Sequence, residues 1–310
     1  MTNISATDLD VFPLCLGGNV FGWTADETQS FAVLDAYAAA GGNFIDTADS
    51  YSAFHPGNSG GESETIIGKW LVASGNRDQM VIATKVGAWP QQPGLSAANI
   101  RTAAEGSLRR LGTDYIDLYY AHRDDQDTPL EETLGAFDEL VREGKVRHIA
   151  ASNYTAARLA QALAISDRAG LARYVALQQH YNLVEREYEG ELGKLVAREG
   201  LSSVPYFALA KGFLTGKYRP SGADVDSPRA AGARAYLDDR GSAVLAAMDS
   251  VAAAHTTTLA AVALAWLAAQ PTVVAPIASA RTTEQLADLL PMADLKLTNE
   301  ELDRLSAASA

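Results

Sequence analysis

With 310 residues, 47% hydrophobic and 20% charged, the chain has the make-up of a globular protein with a large core. Its 25 Lys and Arg stand against 38 Asp and Glu, a formal net charge of −13, which argues against a general attraction to nucleic acid or anionic membrane surfaces. Cys15 is the only cysteine, so neither an internal disulfide nor a cysteine-based metal cluster can form, and a reducing compartment suits the chain.

In chain order, short apolar runs rich in β-branched residues predict strands at 13–17, 43–46, 80–85, 115–121, 146–151, 174–178, 201–206 and 272–277. Between and after them, helical periodicity predicts helices at 30–40, 62–73, 97–111, 129–143, 155–169, 187–199, 257–269 and 282–289. In 97–111, for instance, Ile100, Ala103, Ala104, Leu108 and Leu111 recur every three or four residues, as one buried helix face requires. Two regions depart from the alternation: a polar stretch at 212–239 after the seventh strand, then an additional helix at 241–254. A loop of that length inside a compact domain is more often functional than idle. A last helix is capped by Thr298 with Glu301 three residues on.

Eight β/α units in this length predict one domain over 1–310, an α/β fold closing as a (β/α)8 TIM barrel with the long loop and extra helix after strand seven. A doubly wound open sheet is the rival. The start "MTNISATDLDVF" has no secretory pattern, and the longest apolar helical run, 259–269, is too short to cross a bilayer. The expectation is a cytoplasmic protein without membrane contact.

Barrel enzymes take their functional groups from the carboxyl ends of the strands. Strand two ends at Asp46 with Tyr51 close behind, strand three at Lys85, and strand four leads to His122; strand five ends in Ser152 and Asn153, and strand six in Gln178. Singly, each has a plain explanation: Asp46 and Asp49 suit a turn or a helix cap, Tyr51 a partly buried aromatic, His122 a core histidine. Lys85 is harder to dismiss, because an ammonium following "VIAT" must leave the barrel or be paired. Together they suit proton transfer where negative charge develops on oxygen. A phenol has an ordinary pKa of about 10, and an ammonium beside Tyr51 is expected to lower it toward competence as a general acid or base. Asp46 would hold Lys85 charged and in place, and neutral His122 could donate a hydrogen bond to a substrate oxygen.

The segments "GGNFIDTADSY", "VIATKVG", "YIDLYYAHRDD", "ASNY", "QHYNL" and "LAKGFLTGKY" occur in the order and approximate spacing of the aldo-keto reductase family. The chain resembles that family over nearly its whole length, most of all the bacterial-type members near the potassium-channel β-subunit-like branch. The resemblance implies a barrel, an extended NADPH, and a catalytic tetrad of Asp46, Tyr51, Lys85 and His122 with Tyr51 as proton donor. It assigns Ser152, Asn153 and Gln178 to the nicotinamide carboxamide and Tyr206 to stacking on the nicotinamide ring. Leu209, Lys211, Gly212 and Lys217 fall in the segment passing over the pyrophosphate. Ser279, Arg281 and Gln285 fall at the adenosine end, where an Arg can take a 2′-phosphate and favour NADPH over NADH. The chain departs from the family in having Phe207 and Ala208 within its version of "YSPL", and Leu289 where many members have Asn.

Asn19, Phe21, Trp23 and Trp89 are the candidate substrate contacts, with Phe54 and His55 in a neighbouring loop, and they suit a small carbonyl or alcohol with an apolar body. Two other readings stand beside the reductase. One is a cofactor-binding regulatory protein on the same scaffold with little turnover. The other is a metal-dependent hydrolase using Asp46, Asp49 and His122, disfavoured by five histidines without a His-x-His pair. No resident metal is expected. Neither the oligomeric state nor the substrate follows from the sequence.

Overall fold

The computed structural model describes residues 1–219 and 227–310; part of the predicted long loop, 220–226, lies outside them. Eight parallel strands follow one another around a curled sheet: β1 Cys15–Gly17, β2 Phe44–Asp46, β3 Val81–Val86, β4 Ile116–Ala121, β5 Val146–Ser152, β6 Tyr174–Gln178, β7 Ser202–Ser203 and β8 Ile277–Ala278. Each pairs with its sequence neighbour, and β8 returns to pair with β1, Ile277 beside Cys15. The ring closes between β7 and the approach to β8, where Ser203 N–H donates to Thr272 O at 2.7 Å, Val274 N–H to Ser203 O at 3.0 Å and Ile277 N–H to Pro205 O at 2.8 Å. The fold is a (β/α)8 barrel, as the alternation predicts.

β7 and β8 are shorter than the predicted 201–206 and 272–277. Pro205 and Pro276 lack the N–H a ladder requires, so closure relies on isolated bonds around them. Helices α1 Glu27–Ala39, α2 Glu62–Ser74, α3 Ala97–Leu111, α4 Leu130–Arg142 and α5 Ala156–Ala169 cover the first five connections. α1 begins three residues before the predicted 30, because Asp26 and Gln29 form a reciprocal capping box ahead of it. The predicted 187–199 helix divides at Gly190 into a 3-10 turn, Glu187–Glu189, and α6 Glu191–Arg198. After β7 come a 3-10 segment, Ala210–Thr215, a short helix α7 Ala230–Arg234 and the additional helix α8 Asp239–His255; α9 Leu259–Ala268, α10 Thr283–Leu289 and α11 Asn299–Ala308 complete the ring. Among the described residues no single helix is long and apolar enough to cross a membrane.

Period-two alternation divides the strands' side chains between two cores. Cys15, Phe44, Val81, Ala83, Leu118, Tyr120, Ala150, Ala176 and Ala275 fill the barrel interior. Ile45, Ile82, Val86, Tyr119, Ile149 and Leu177 face the helices, among Ile100, Ala104 and Leu111 of α3. The amino end is plugged by a small antiparallel ribbon, Thr2–Asn3 with Asp10–Val11, which adds Ile4, Leu9 and Val11 to the interior cluster.

Asp117 joins β3 and β4 from the outer side. Buried at 1% exposure, it accepts from Ile82 N–H at 2.9 Å, Arg77 Nη2 at 2.8 Å and Arg147 Nη1 at 2.5 Å. Asp117→Ala leaves a buried N–H and two guanidinium groups without this acceptor, and is expected to cost about 2–4 kcal/mol. Urea unfolding should report a lower midpoint with an unchanged m value.

Candidate active site

The alternation that fills the interior also delivers polar groups to its mouth. Two residues beyond Phe44, Ala83, Tyr120, Ala150 and Ala176, on the same parity, stand Asp46, Lys85, His122, Ser152 and Gln178. Strand ends that predict these residues separately thus bring them to one place.

Lys85 is fully buried and its Nζ donates to both Asp46 carboxylate oxygens at 2.6 Å, to Thr47 O at 2.7 Å and to the Tyr51 hydroxyl at 2.9 Å. Gln178 Nε2 donates to Asp46 Oδ1 at 2.8 Å, and the Tyr51 hydroxyl donates to Asp46 Oδ2 at 3.1 Å. Every acceptor of the carboxylate faces a donor, which is the condition for keeping an ion pair out of water. Burial pulls the Lys85 pKa down, and Asp46 opposes it. Tyr51 departs from the expected direction: burial first, then the adjacent Asp46 carboxylate, push its hydroxyl well above the ordinary value. The phenol therefore keeps its proton. The ring of His122 lies 6.0 Å from that of Tyr51, edge to face. Burial, Lys85 and Arg123 hold the imidazole well below its ordinary pKa, hence neutral. Its buried Nδ1 has no hydrogen-bond partner among the described residues.

A cleft of about 940 Å³ opens from Asp46, Tyr51 and His122 along the barrel mouth. Ser152, Asn153, Gln178, Tyr206, Leu209, Lys211, Gly212, Lys217, Ser279, Arg281 and Gln285 all line it. Asn153 takes the left-handed conformation, φ 57°, which turns its amide to donate to His122 O at 2.9 Å and Ser152 Oγ at 3.0 Å; the Tyr206 hydroxyl donates to Asn153 Oδ1 at 2.8 Å. Ser279 Oγ donates to Asn19 Oδ1 at 2.6 Å, joining the segments that follow the paired strands β8 and β1. Gln285 Oε1 accepts from the Arg281 N–H at 3.0 Å.

Of the four candidate substrate contacts, Asn19 and Trp23 line the cleft. Phe21 does not: it is fully buried in the core beyond the 3-10 turn Gly18–Val20. Trp89 lies outside as well, donating from Nε1 to Ser59 O at 3.0 Å with the Arg110 guanidinium 5.7 Å from its ring. Phe54 is 65% exposed and packs edge-on against Trp23. Arg229 is a lining residue the strand-end criterion passes over; its guanidinium lies 5.6 Å from the Trp23 ring. The only sequence signal for it was its place in the loop after strand seven. Among the described residues no group of three or more His, Cys, Asp or Glu could hold a metal ion, so Asp46, Asp49 and His122 form no such group.

A (β/α)8 barrel with its polar cluster at the carboxyl ends of the strands has the layout of a barrel enzyme. The chain belongs to the aldo/keto reductase family, whose sequence model matches residues 13–310. It is 36% identical over 279 residues to the uncharacterized oxidoreductase YrpG of Bacillus subtilis, covering 87% of this chain and 83% of the relative. Protein tas of Escherichia coli is 33% identical over 302 residues, 86% of this chain and 85% of tas. A probable voltage-gated potassium channel subunit beta of rice is 32% identical over 281 residues, 87% and 83% of the two chains. The protein is accordingly an oxidoreductase of a family that acts on small molecules.

Asp49, between Asp46 and Tyr51, stays outside the network. It is fully buried, and neither carboxylate oxygen has a hydrogen-bond partner among the described residues. Burial, then Glu64, raises its pKa from 3.8 to about 7. The folded state therefore holds this proton more tightly than the unfolded chain does, so the group's contribution falls as pH rises from 3.8 through about 7. Asp49→Asn, which cannot ionise, is expected to be more stable than wild type at pH ~8 by about 1–3 kcal/mol. The gap should narrow as pH falls and close only below 3.8, when both proteins are unfolded in urea.

Proposed function

We propose that the protein reduces an aldehyde or ketone to an alcohol by hydride transfer from NADPH, with Tyr51 as general acid, and that it can run in reverse. The observation that carries this reading is the Tyr51 hydroxyl, held between the Lys85 ammonium and the Asp46 carboxylate where the cleft begins.

The cleft's residues fit an extended dinucleotide. Although the chain is strongly acidic overall, Lys211, Lys217, Arg229 and Arg281 all line this one cleft. Such local positive charge suits a ligand with several phosphates. Ser152, Asn153 and Gln178 offer the donors and acceptors that an amide needs, and Tyr206 offers an aromatic face. Leu209, Lys211, Gly212 and Lys217 would hold the pyrophosphate, Ser279 and Gln285 the adenosine end, and Arg281 the 2′-phosphate. When bound, the reduced nicotinamide supplies the hydride.

The chain's own groups handle the charge that remains on the substrate oxygen. His122, neutral, donates a hydrogen bond to it, and Tyr51 gives up its proton to it. Its raised pKa keeps that proton on Tyr51 until an alkoxide, a much stronger base than a carbonyl oxygen, forms beside it. Lys85 then stabilises the phenolate, and Asp46 keeps Lys85 oriented. Asn19 and Trp23, which line the same cleft, would be the substrate contacts.

The second reading, a cofactor-binding regulatory protein, draws on the likeness to the rice channel subunit. A panel of aldehydes, ketones and sugars followed by NADPH consumption separates the two. With a substrate from that panel, Tyr51→Phe should lower turnover by about 10²–10⁴-fold while leaving NADPH affinity nearly unchanged. Wild-type turnover in the mutant would rule out Tyr51 as the acid, and no turnover by the wild-type protein on any carbonyl would favour the regulatory reading.

A further inference from the structure

His180 stands directly behind Tyr206. The backbones bridge at these two residues, with Tyr206 N–H donating to Gln179 O at 3.0 Å, so register places the side chains next to one another. Their rings are stacked, 5.5 Å between centroids and 12° from parallel. Tyr206 borders the cleft and His180 does not, so the imidazole backs an aromatic face that a ligand would meet.

The surroundings define the charge of that imidazole. Asn182 Oδ1 accepts from Val184 N–H at 2.9 Å and Glu185 N–H at 3.0 Å, which settles the orientation of its amide. Its NH2 group is therefore turned toward Phe207 O at 2.9 Å and His180 Nε2 at 3.4 Å. A ring nitrogen facing an amide donor is an acceptor, so the imidazole is neutral, and a proton on Nε2 would set two donors against each other. Burial and the Lys211 ammonium favour the neutral form, and the Glu185 carboxylate opposes them. On the facing segment the titratable neighbour is Tyr206 itself, and the charge of Arg123 acts on the Tyr206 hydroxyl to lower its pKa against burial.

We infer that His180 is a positioning residue which, acting through the ring of Tyr206, sets the relative affinity for oxidised and reduced nicotinamide. The inference rests on the reading of Tyr206 as the nicotinamide platform. A neutral imidazole seats the Tyr206 ring for both oxidation states. An imidazolium behind the same ring opposes the cationic oxidised nicotinamide and leaves the uncharged reduced ring nearly unaffected. Acidification then biases the site toward reduced cofactor, the form that carbonyl reduction consumes.

The test is equilibrium titration of NADP+ and of NADPH onto the full chain, between pH ~8 and ~5.5, across the window where an imidazole with lowered pKa begins to protonate. Wild type, His180→Phe, His180→Gln and Tyr206→Ala are compared. Taking the ratio of the two Kd values cancels titration of the phosphates, which both cofactors share. In wild type the ratio Kd(NADP+)/Kd(NADPH) should rise as pH falls, and in both His180 variants it should stay flat. A flat wild-type ratio overturns the inference, as does a slope that survives in both His180 variants, which would assign it to His122. If Tyr206→Ala leaves both affinities unchanged, the platform reading itself is wrong. If Tyr206→Ala weakens both cofactors while the His180 variants keep the slope, only the role of His180 falls.

Discussion

The ion pair between Asp46 and Lys85, sealed inside the top of the barrel, is the constraint around which the site is organised. Removing two charges from water costs several kcal/mol each, and only close geometry with every remaining donor and acceptor engaged repays it. The barrel meets that demand with Thr47 O, Gln178 and Tyr51, each within 3.1 Å of one member of the pair. Exchanging the pair for apolar residues of similar volume would give an equal or firmer core. What the pair adds is a fixed position for the Tyr51 hydroxyl oxygen, which accepts from Lys85, while its one proton rests on Asp46 and is free to turn about the C–O bond. A phenol held in this way keeps its proton yet has a cation in place to receive the phenolate.

Fold and site are coupled through alternation on the strands. β2 and β3 run side by side with Asp46 opposite Ala83, so Lys85, two residues further on the same face, reaches back across to Asp46 and Thr47. The same parity that packs Phe44, Val81 and Ala83 into the interior gives the next inward position to a charged group. A one-residue slip in either strand would turn one partner toward the helices and strand the other unpaired. Apolar packing below thus specifies polar geometry above.

Much of this was legible in the chain. β2 to β6 stood out because strands covered on both faces are continuous apolar runs, and the polar residues ending them are the ones that meet. β7 and β8 are shorter than the apolar runs that predict them because Pro205 and Pro276 interrupt the ladder without interrupting the apolar pattern. The amino-terminal ribbon and the hairpin Ala88–Trp89 with Gln92–Pro93 leave no mark in the sequence, since two-residue strands carry no periodicity. Phe21 and Trp89 look like cleft residues in the sequence because an aromatic near a strand end can face either way, and only tertiary packing decides. Arg229 reaches the cleft from a loop whose path no local pattern specifies. For Tyr51 the sequence displayed the cation that would lower its pKa, but neither the burial nor the contact with Asp46 that outweigh it. Asp49 lies in the turn that it suits, yet its carboxylate is fully buried and without a hydrogen-bond partner among the described residues.

The central claim is that Asp46 and Lys85 act on Tyr51 as one unit, and a double-mutant cycle on the hydride-transfer rate addresses it most directly. Single-turnover oxidation of bound NADPH would be followed in wild type, Asp46→Asn, Lys85→Met and the double variant. If the pair is one unit, the double variant is about as slow as the slower single variant, because the first substitution already removes what the second would take away. Losses that add in full, the double variant slowed by the product of the two single factors, would contradict the account and mean that each residue serves the reaction separately.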